Sequence, residues 1–283
     1  MELSTADSVD AALDELSRRG ERCRVLAGGT DVMIQLARRE ITPEHLLHVE
    51  RLGELRAVET EGSTRLGALV THRDLAVGRL GPGYAAVAES AATVGGLQTQ
   101  VVGTIGGNVC NASPAADTLP ALLVHDAEVT LRSVRGSRTV PLAEFVVGRR
   151  VTTRAPDELL TTITLGRPIP RTGDVYLKVG RRSAMEVAIV GLAARLTFDG
   201  TGVVTDARIA VASVGPRPLR SVGAETALVG GTGDAESVHA AAKALLQDVD
   251  PIDDVRGTAD YRRRVIPGLL GRAVRVCAER AEG

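Results

Sequence analysis

Apolar positions Val9, Leu13 and Leu16 recur at helical spacing behind Asp7 and Ser8, which can cap a helix, and Gly20 stops the run. Cys23 to Leu26 then reads as a short buried strand that ends in a glycine turn, Ala27-Gly28-Gly29-Thr30, with a second helix expected from Asp31 to about Arg39. Short strands are expected at His45 to Val49, Ala57 to Thr60 and Thr64 to Leu69. An alanine-rich helix over Tyr84 to Val94 precedes the most glycine-punctuated stretch, Gly95 to Asp117, whose composition demands special backbone geometry. A helix at Leu119 to His125 and strands at Glu128 to Ser133, Arg138 to Pro141 and Glu158 to Thr164 complete a first domain. Leu165 to Asp174, with Pro168 and Pro170, reads as a linker. Beyond it lie three β-rich segments, Val175 to Val179, Ala188 to Phe198 and Val204 to Val214, then helices near 224–229, 235–246 and 259–280. The pattern predicts an α+β protein with domains over 1–170 and 171–283, the second a three-stranded sheet backed by helices.

At 283 residues and 44% hydrophobic content the chain can fill a sizeable core. A net charge of −1 gives no basic surplus for nucleic acid, and with aromatics at 2% and no tryptophan there is little to stack on bases. Nucleic acid is therefore not an expected partner. Cys23, Cys110 and Cys277 form no CxxC pair and no four-thiolate set, which suits a reducing compartment and leaves no cage for an iron–sulfur cluster. The first residues carry neither a basic region nor an apolar run, and no apolar stretch approaches membrane-spanning length, so a cytoplasmic location without membrane insertion is expected. Of 34 basic residues only Lys178 and Lys243 are lysines. Against that arginine bias, a lysine marks a position where a compact ammonium can matter.

Two glycine runs carry the candidate chemistry. In Val25-Leu26-Ala27-Gly28-Gly29-Thr30-Asp31 a buried strand enters two glycines at a helix start, where consecutive N–H groups can cradle a pyrophosphate. Read alone, it fits equally an ordinary strand–helix turn capped by Asp31. The run from Gly103 to Asp117 alternates small residues with Thr104, Asn108, Ser113 and Asp117, as expected of a wall pressed against an extended polar ligand. Ile105, Val109 and Cys110 would be odd choices for a solvent-facing loop. Neither run matches a Rossmann fingerprint or a P-loop.

Taken together with Leu66-Gly67-Ala68-Leu69-Val70-Thr71-His72, Pro156-Asp157-Glu158-Leu159-Leu160, Lys178-Val179-Gly180-Arg181-Arg182 and Tyr261-Arg262-Arg263, the runs make the chain resemble, nearly end to end, the FAD-binding medium subunit of the molybdenum hydroxylases, the family of xanthine dehydrogenase and aerobic carbon monoxide dehydrogenase. The resemblance implies a two-subdomain FAD-binding fold of the vanillyl-alcohol-oxidase-like type, with subdomains over about 1–55 and 56–170, followed by a three-stranded antiparallel sheet with helices. It implies that Val25, Leu26, Ala27, Gly28, Gly29, Thr30, Asp31 and Val32 wrap the pyrophosphate. Thr104, Gly106, Gly107, Asn108 and Asp117 would line the rest of the nucleotide and the ribityl chain, and Cys110 and Leu160 would lie near the isoalloxazine ring. Lys178 corresponds to a family lysine near the flavin, where an ammonium favours negative charge on the reduced cofactor; a solvated strand lysine is the alternative. No metal site and no catalytic acid or base is implied in this chain.

The resemblance further implies a molybdopterin-binding large subunit that oxidises the substrate and a small subunit whose [2Fe-2S] clusters relay electrons to the FAD. The expected assembly is a dimer of heterotrimers, with NAD, oxygen or a quinone as acceptor. Asn111-Ala112-Ser113-Pro114-Ala115-Ala116-Asp117 resembles the xanthine dehydrogenase form of its loop more than the carbon monoxide form, which favours an N-heterocycle or aldehyde substrate, and no cysteine-rich insertion of the benzoyl-CoA reductase kind is present. A carbon monoxide dehydrogenase medium subunit and a cofactor-free scaffold of the same fold are the rivals. Elsewhere, His45 and His48 read as strand residues rather than a metal pair, His72 is assigned no role, and Glu186 reads as an ion-pair partner of nearby arginines. The arginines of Tyr261 to Arg275 fit a subunit interface or the wet face of a helix.

Overall fold

A computed structural model describes residues 1–182 and 185–282, so Ser183 and Ala184 of the segment before Glu186 lie outside the described residues. The chain begins with strand β1 (Glu2–Thr5), helix α1 (Val9–Arg19), β2 (Cys23–Leu26), α2 (Val32–Ala37) and β3 (His45–His48). Ser8 caps α1 by accepting a hydrogen bond from the Ala11 N–H. β1, β3 and β2 form a parallel sheet in that order. Its core gathers Val9, Leu13 and Leu16 of α1 against Leu47, Leu52 and Leu69. β1 is not legible in the sequence because its four residues are mostly solvent-facing and show no apolar alternation.

A second layer follows: β4 (Val58–Glu59), β5 (Thr64–Gly67), α3 (His72–Ala76), α4 (Ala85–Ala92), α5 (Leu97–Val102), α6 (Ile105–Asn111), α7 (Thr118–Val124), β6 (Glu128–Ser133), β7 (Gly136–Pro141), α8 (Leu142–Phe145), β8 (Val146–Gly148), β9 (Val151–Thr152) and β10 (Leu159–Leu165). The sheet runs β4-β5-β10-β6-β7 with antiparallel pairing. The glycine-rich stretch is thus largely helical. α6 carries two glycines, poor helix formers, in its first turn and is held by its Thr104 cap, whose hydroxyl accepts from the Gly107 N–H at 3.1 Å, and by packing on Ala68. Propensity is overridden here by tertiary contact.

The remaining elements are β11 (Thr172–Val179), β12 (Val190–Phe198), β13 (Val204–Ala212), β14 (Leu219–Arg220), α9 (Val222–Leu228), α10 (Ala235–Asp248) and α11 (Ala259–Ala281). The three expected long strands pair antiparallel, and a two-residue fourth, β14, extends their sheet beyond the expected three. Pro216 and Pro218 separate β14 from β13 and hide it from any periodicity. Both faces of this sheet are covered. Val175, Leu192, Leu196, Ile209 and Val211 meet α9–α11, while Tyr176, Ala193 and Ala210 join the core of the preceding layer. Small residues on that second face let α4 and α7 lie close against it.

Two buried polar clusters fasten the layers. Asp174 of β11 accepts from the N–H groups of Ala85 and Ala86 and lies 2.9 Å from His125 Nε2, at the end of α7. Burial works against its charge, but these bonds outweigh it and hold the carboxyl below its ordinary range. Arg262, fully buried in α11, donates to the carbonyls of Ile189 and Ser213 and to Asp254, whose carboxyl falls to about 2 through its bonds to Arg256 despite some desolvation. The middle residue of Tyr261-Arg262-Arg263 is therefore a structural tie and not part of a wet helix face. Among the described residues, no helix is long and apolar enough to cross a membrane.

Candidate functional site

The two glycine runs meet across one cavity of about 440 Å³, bounded by the β2–α2 turn, the start of α6, the edge of β10 and the segment Met185 to Val187. Its volume lies within the range of small-molecule and cofactor sites. Val25, Ala27, Gly28, Gly29, Thr30, Asp31, Val32, Thr104, Gly106, Gly107, Asn108, Cys110, Asp117 and Leu160 all line it. Leu26 and Lys178 do not. Leu26 sits behind the turn, its Cδ1 about a van der Waals contact from the position of a Cβ at Gly29.

The turn itself is built for backbone donation. Gly29 has φ +72°, and among the described residues the N–H groups of Gly28, Gly29, Thr30 and Asp31 have no protein acceptor. Asp31 stands at the start of α2 without capping it by its side chain, so the capping alternative does not hold. Burial pushes the Asp31 carboxyl up, against the pull of Arg150, Arg24 and the Asn111 amide. Asn111 is in turn held by Gln35 Nε2 at 2.9 Å, a buried bond between α2 and α6 that locks the two runs together.

The glycines owe their identity to packing more than to ligand room, which revises the sequence reading. A Cβ at Gly28 would overlap the carbonyl oxygen of Val102 at the end of α5. One at Gly106 would lie 2.7 Å from both the Cβ and the carbonyl oxygen of Ala68. Close approach of one backbone to another closes the cavity, and only glycine permits it.

Asp117 anchors another part of the lining. Tyr176 Oη donates to its Oδ1 at 2.6 Å and Lys178 Nζ to its Oδ2 at 2.8 Å, while Lys178 also donates to the Thr93 carbonyl at 3.0 Å. Burial pushes the Asp117 carboxyl up in spite of both donors, and pushes the Tyr176 hydroxyl well up. Lys178 is thus neither a solvated strand residue nor a lining residue: its side chain is 13% exposed and its charge stands behind Asp117.

Several lining residues lay outside the expected set. Arg24, Arg150 and Arg154 face the cavity near Asp31 and Cys110, hidden in the sequence by the general abundance of arginine. Glu186 also lines it and, as expected, pairs with Arg181 at 2.9 Å. His72, at the first turn of α3 behind a Thr71–Asp74 capping box, packs beside Gly103 with its Nδ1 buried and unpartnered. Burial lowers its pKa to about 4, so the imidazole is neutral at pH 7. Such a base is favoured neutral in the fold yet protonates freely when unfolded, so its stabilising effect is full above about pH 6.5 and lost as pH falls towards 4. Denaturant unfolding of the flavin-free chain should show about 2 kcal/mol more loss between pH 7 and pH 5 than the His72→Leu variant does. Equal losses would mean that burial does not depress the His72 pKa in the fold. His45, by contrast, is a buried strand residue 2.7 Å from Ser4 Oγ.

Residues 1–168 match the family model described as the FAD binding domain in molybdopterin dehydrogenase, and residues 175–276 match the CO dehydrogenase flavoprotein C-terminal domain. The 6-hydroxypseudooxynicotine dehydrogenase complex subunit alpha of Paenarthrobacter nicotinovorans is 32% identical over 98% of this chain and 94% of its own length. The xanthine dehydrogenase FAD-binding subunit of Escherichia coli O157:H7 is 28% identical over the same shares. A solved carbon monoxide dehydrogenase from Hydrogenophaga pseudoflava superposes with a TM-score of 0.94 at 30% identity, covering 99% of this chain and 98% of that one. With both family models matched in succession and the two glycine runs meeting at one cavity, the chain belongs to the FAD-binding medium subunits of the xanthine and carbon monoxide dehydrogenase family of oxidoreductases.

Proposed function

We propose that this chain holds FAD in the cavity between its glycine runs and serves as the electron-transfer subunit of a molybdenum-dependent dehydrogenase, accepting electrons from [2Fe-2S] clusters of a small subunit while a molybdopterin-binding large subunit oxidises the substrate. The observation that carries the reading is the row of unengaged N–H groups at Gly28 to Asp31, facing a cavity that the second run closes. FAD supplies the conversion between one-electron and two-electron transfer. The residues of this chain supply the rest. The 28–31 turn donates to the pyrophosphate, and Thr104, Gly107 and Asn108 border the ribityl chain.

Lys178, acting through Asp117, sets the charge at the end of the cavity assigned to the flavin ring. Cys110, whose charged neighbours are Arg154 and Arg24, then belongs nearer the nucleotide than the ring. His72 adds a neutral wall residue. None of these groups is asked to act as acid or base on a substrate carbon, since substrate oxidation is assigned to another subunit. An N-heterocycle or aldehyde is the proposed substrate class, NAD, oxygen or a quinone the acceptor, a dimer of heterotrimers the assembly and the cytoplasm its location.

The test is the visible absorption spectrum of the purified full chain, followed by release and identification of its chromophore. FAD without iron–sulfur absorption is the expected result. A colourless chain that takes up no added FAD would sink the reading and favour the cofactor-free scaffold.

A further inference from the structure

The carboxylates that line the cavity are mostly spoken for from outside it. Asp117 is paired with Lys178, Glu158 with Arg138 at 2.6 Å, and Glu186 with Arg181. The lining arginines are not matched in the same way. Arg150 reaches out to Glu40 at 2.6 Å, but among the described residues Arg154 donates only to the carbonyls of Ala155, Pro156 and Glu158. Among the described residues Arg24 forms no ion pair and donates no side-chain hydrogen bond. Two guanidiniums therefore face the lining, and Asp31 is a carboxylate whose charge acts on Arg24 across it without pairing. Desolvation and the like charge of Arg154 both work against the charge on Arg24, and a guanidinium cannot relieve that strain by losing its proton.

A partly buried, unpaired guanidinium beside a second one is stabilised by an anion that fits its fork of donors. Arg24 directly precedes Val25 and the pyrophosphate turn, while Asp117 and Lys178 form a separate charged group. We propose that Arg24, with Arg154 beside it, binds the AMP half of FAD and makes the cavity select the dinucleotide over riboflavin and FMN. This specificity role rests on the FAD reading above. The 28–31 turn alone offers phosphate donors to FMN and FAD alike; the arginine pair is what distinguishes them, by meeting charge and adenine surface that FMN lacks. Its planar guanidinium can both pair with a phosphate oxygen and stack on a base.

The experiment uses the full chain stripped of flavin, with FAD, FMN and riboflavin titrated by quenching of flavin fluorescence, and ADP as a competitor. Arg24→Met should weaken FAD about tenfold or more and leave riboflavin unchanged, and ADP should displace FAD from the wild type far better than it binds the variant. Arg24→Lys, which keeps the charge but not the fork, should fall between. Equal weakening of FAD and riboflavin, or unchanged FAD affinity in both variants, would overturn the selectivity role while leaving FAD binding itself intact. A wild-type chain that takes up no flavin would instead remove the proposed function, and this inference with it.

Discussion

Alanine at position 28 is expected to destabilise the protein by about 3 kcal/mol, at the upper end for a single added methyl group. The added Cβ would overlap a backbone carbonyl, that of Val102, which cannot swing aside as a side chain can. Relief requires α5 to move away from the β2–α2 turn, and both segments contribute residues to the cavity lining. Urea unfolding of Gly28→Ala should therefore show a lower midpoint, and the purified variant should carry less FAD. A variant with wild-type stability but no flavin would mean that the glycine serves ligand room after all. Gly29 offers a contrast, since its requirement is a φ of +72° and the nearest atoms to an added Cβ are side-chain carbons of Met33 and Leu26.

Replacing Lys178 by methionine should cost about 3–5 kcal/mol, the usual effect of leaving one member of a buried ion pair without its partner. Asp117 is 7% exposed, and without the ammonium its remaining side-chain partner is the Tyr176 hydroxyl. The sign of the pH dependence follows from its carboxyl, already pushed up by burial. A carboxyl whose folded pKa exceeds the unfolded one binds more protons when folded, so stability is recovered as pH falls through the raised value towards the unfolded value near 3.8. Lys178→Met should thus lose most at neutral pH and regain stability in mild acid. The Asp117→Asn, Lys178→Met double variant, with no buried charge left, should be more stable than the lysine variant alone. In the FAD-loaded protein the single variant should also lower the flavin reduction potential, because positive charge near the reduced cofactor is lost. An unchanged potential with the stability loss intact would make Lys178 a purely structural tie between β11 and the site.

Much of the site was legible before any fold was known, because its elements are local. The strand Cys23–Leu26 running into Gly28 and Gly29, and the Thr104-to-Asp117 run, announce themselves by small residues among hydrogen-bonding ones, and most residues of both runs line the cavity. The rarity of lysine drew attention to Lys178 for the same reason, since composition is a property of the chain alone. What stood out least was what the composition disguises: Arg24, Arg150 and Arg154 are three arginines in an arginine-rich chain, and His72 sits in a stretch that reads as a helix start.

The order of long strands and helices, the break near Pro168 and Pro170, and the two glycine runs were determined by the sequence itself, through periodicities and turn residues that act over a few positions. Tertiary structure alone decided the rest. α6 is helical despite Gly106 and Gly107 because Ala68 and the Thr104 cap hold it. β14 exists because β13 offers an edge, and β1 because β3 lies beside it. Gly28 must be glycine because a carbonyl 74 positions further along the chain comes to rest against it. Lys178 lies behind Asp117, and Arg24 comes to line the cavity, unpaired among the described residues, only once three separate stretches of chain have packed together. Burial and charge pairing are properties of neighbours distant in sequence, and no local pattern encodes them.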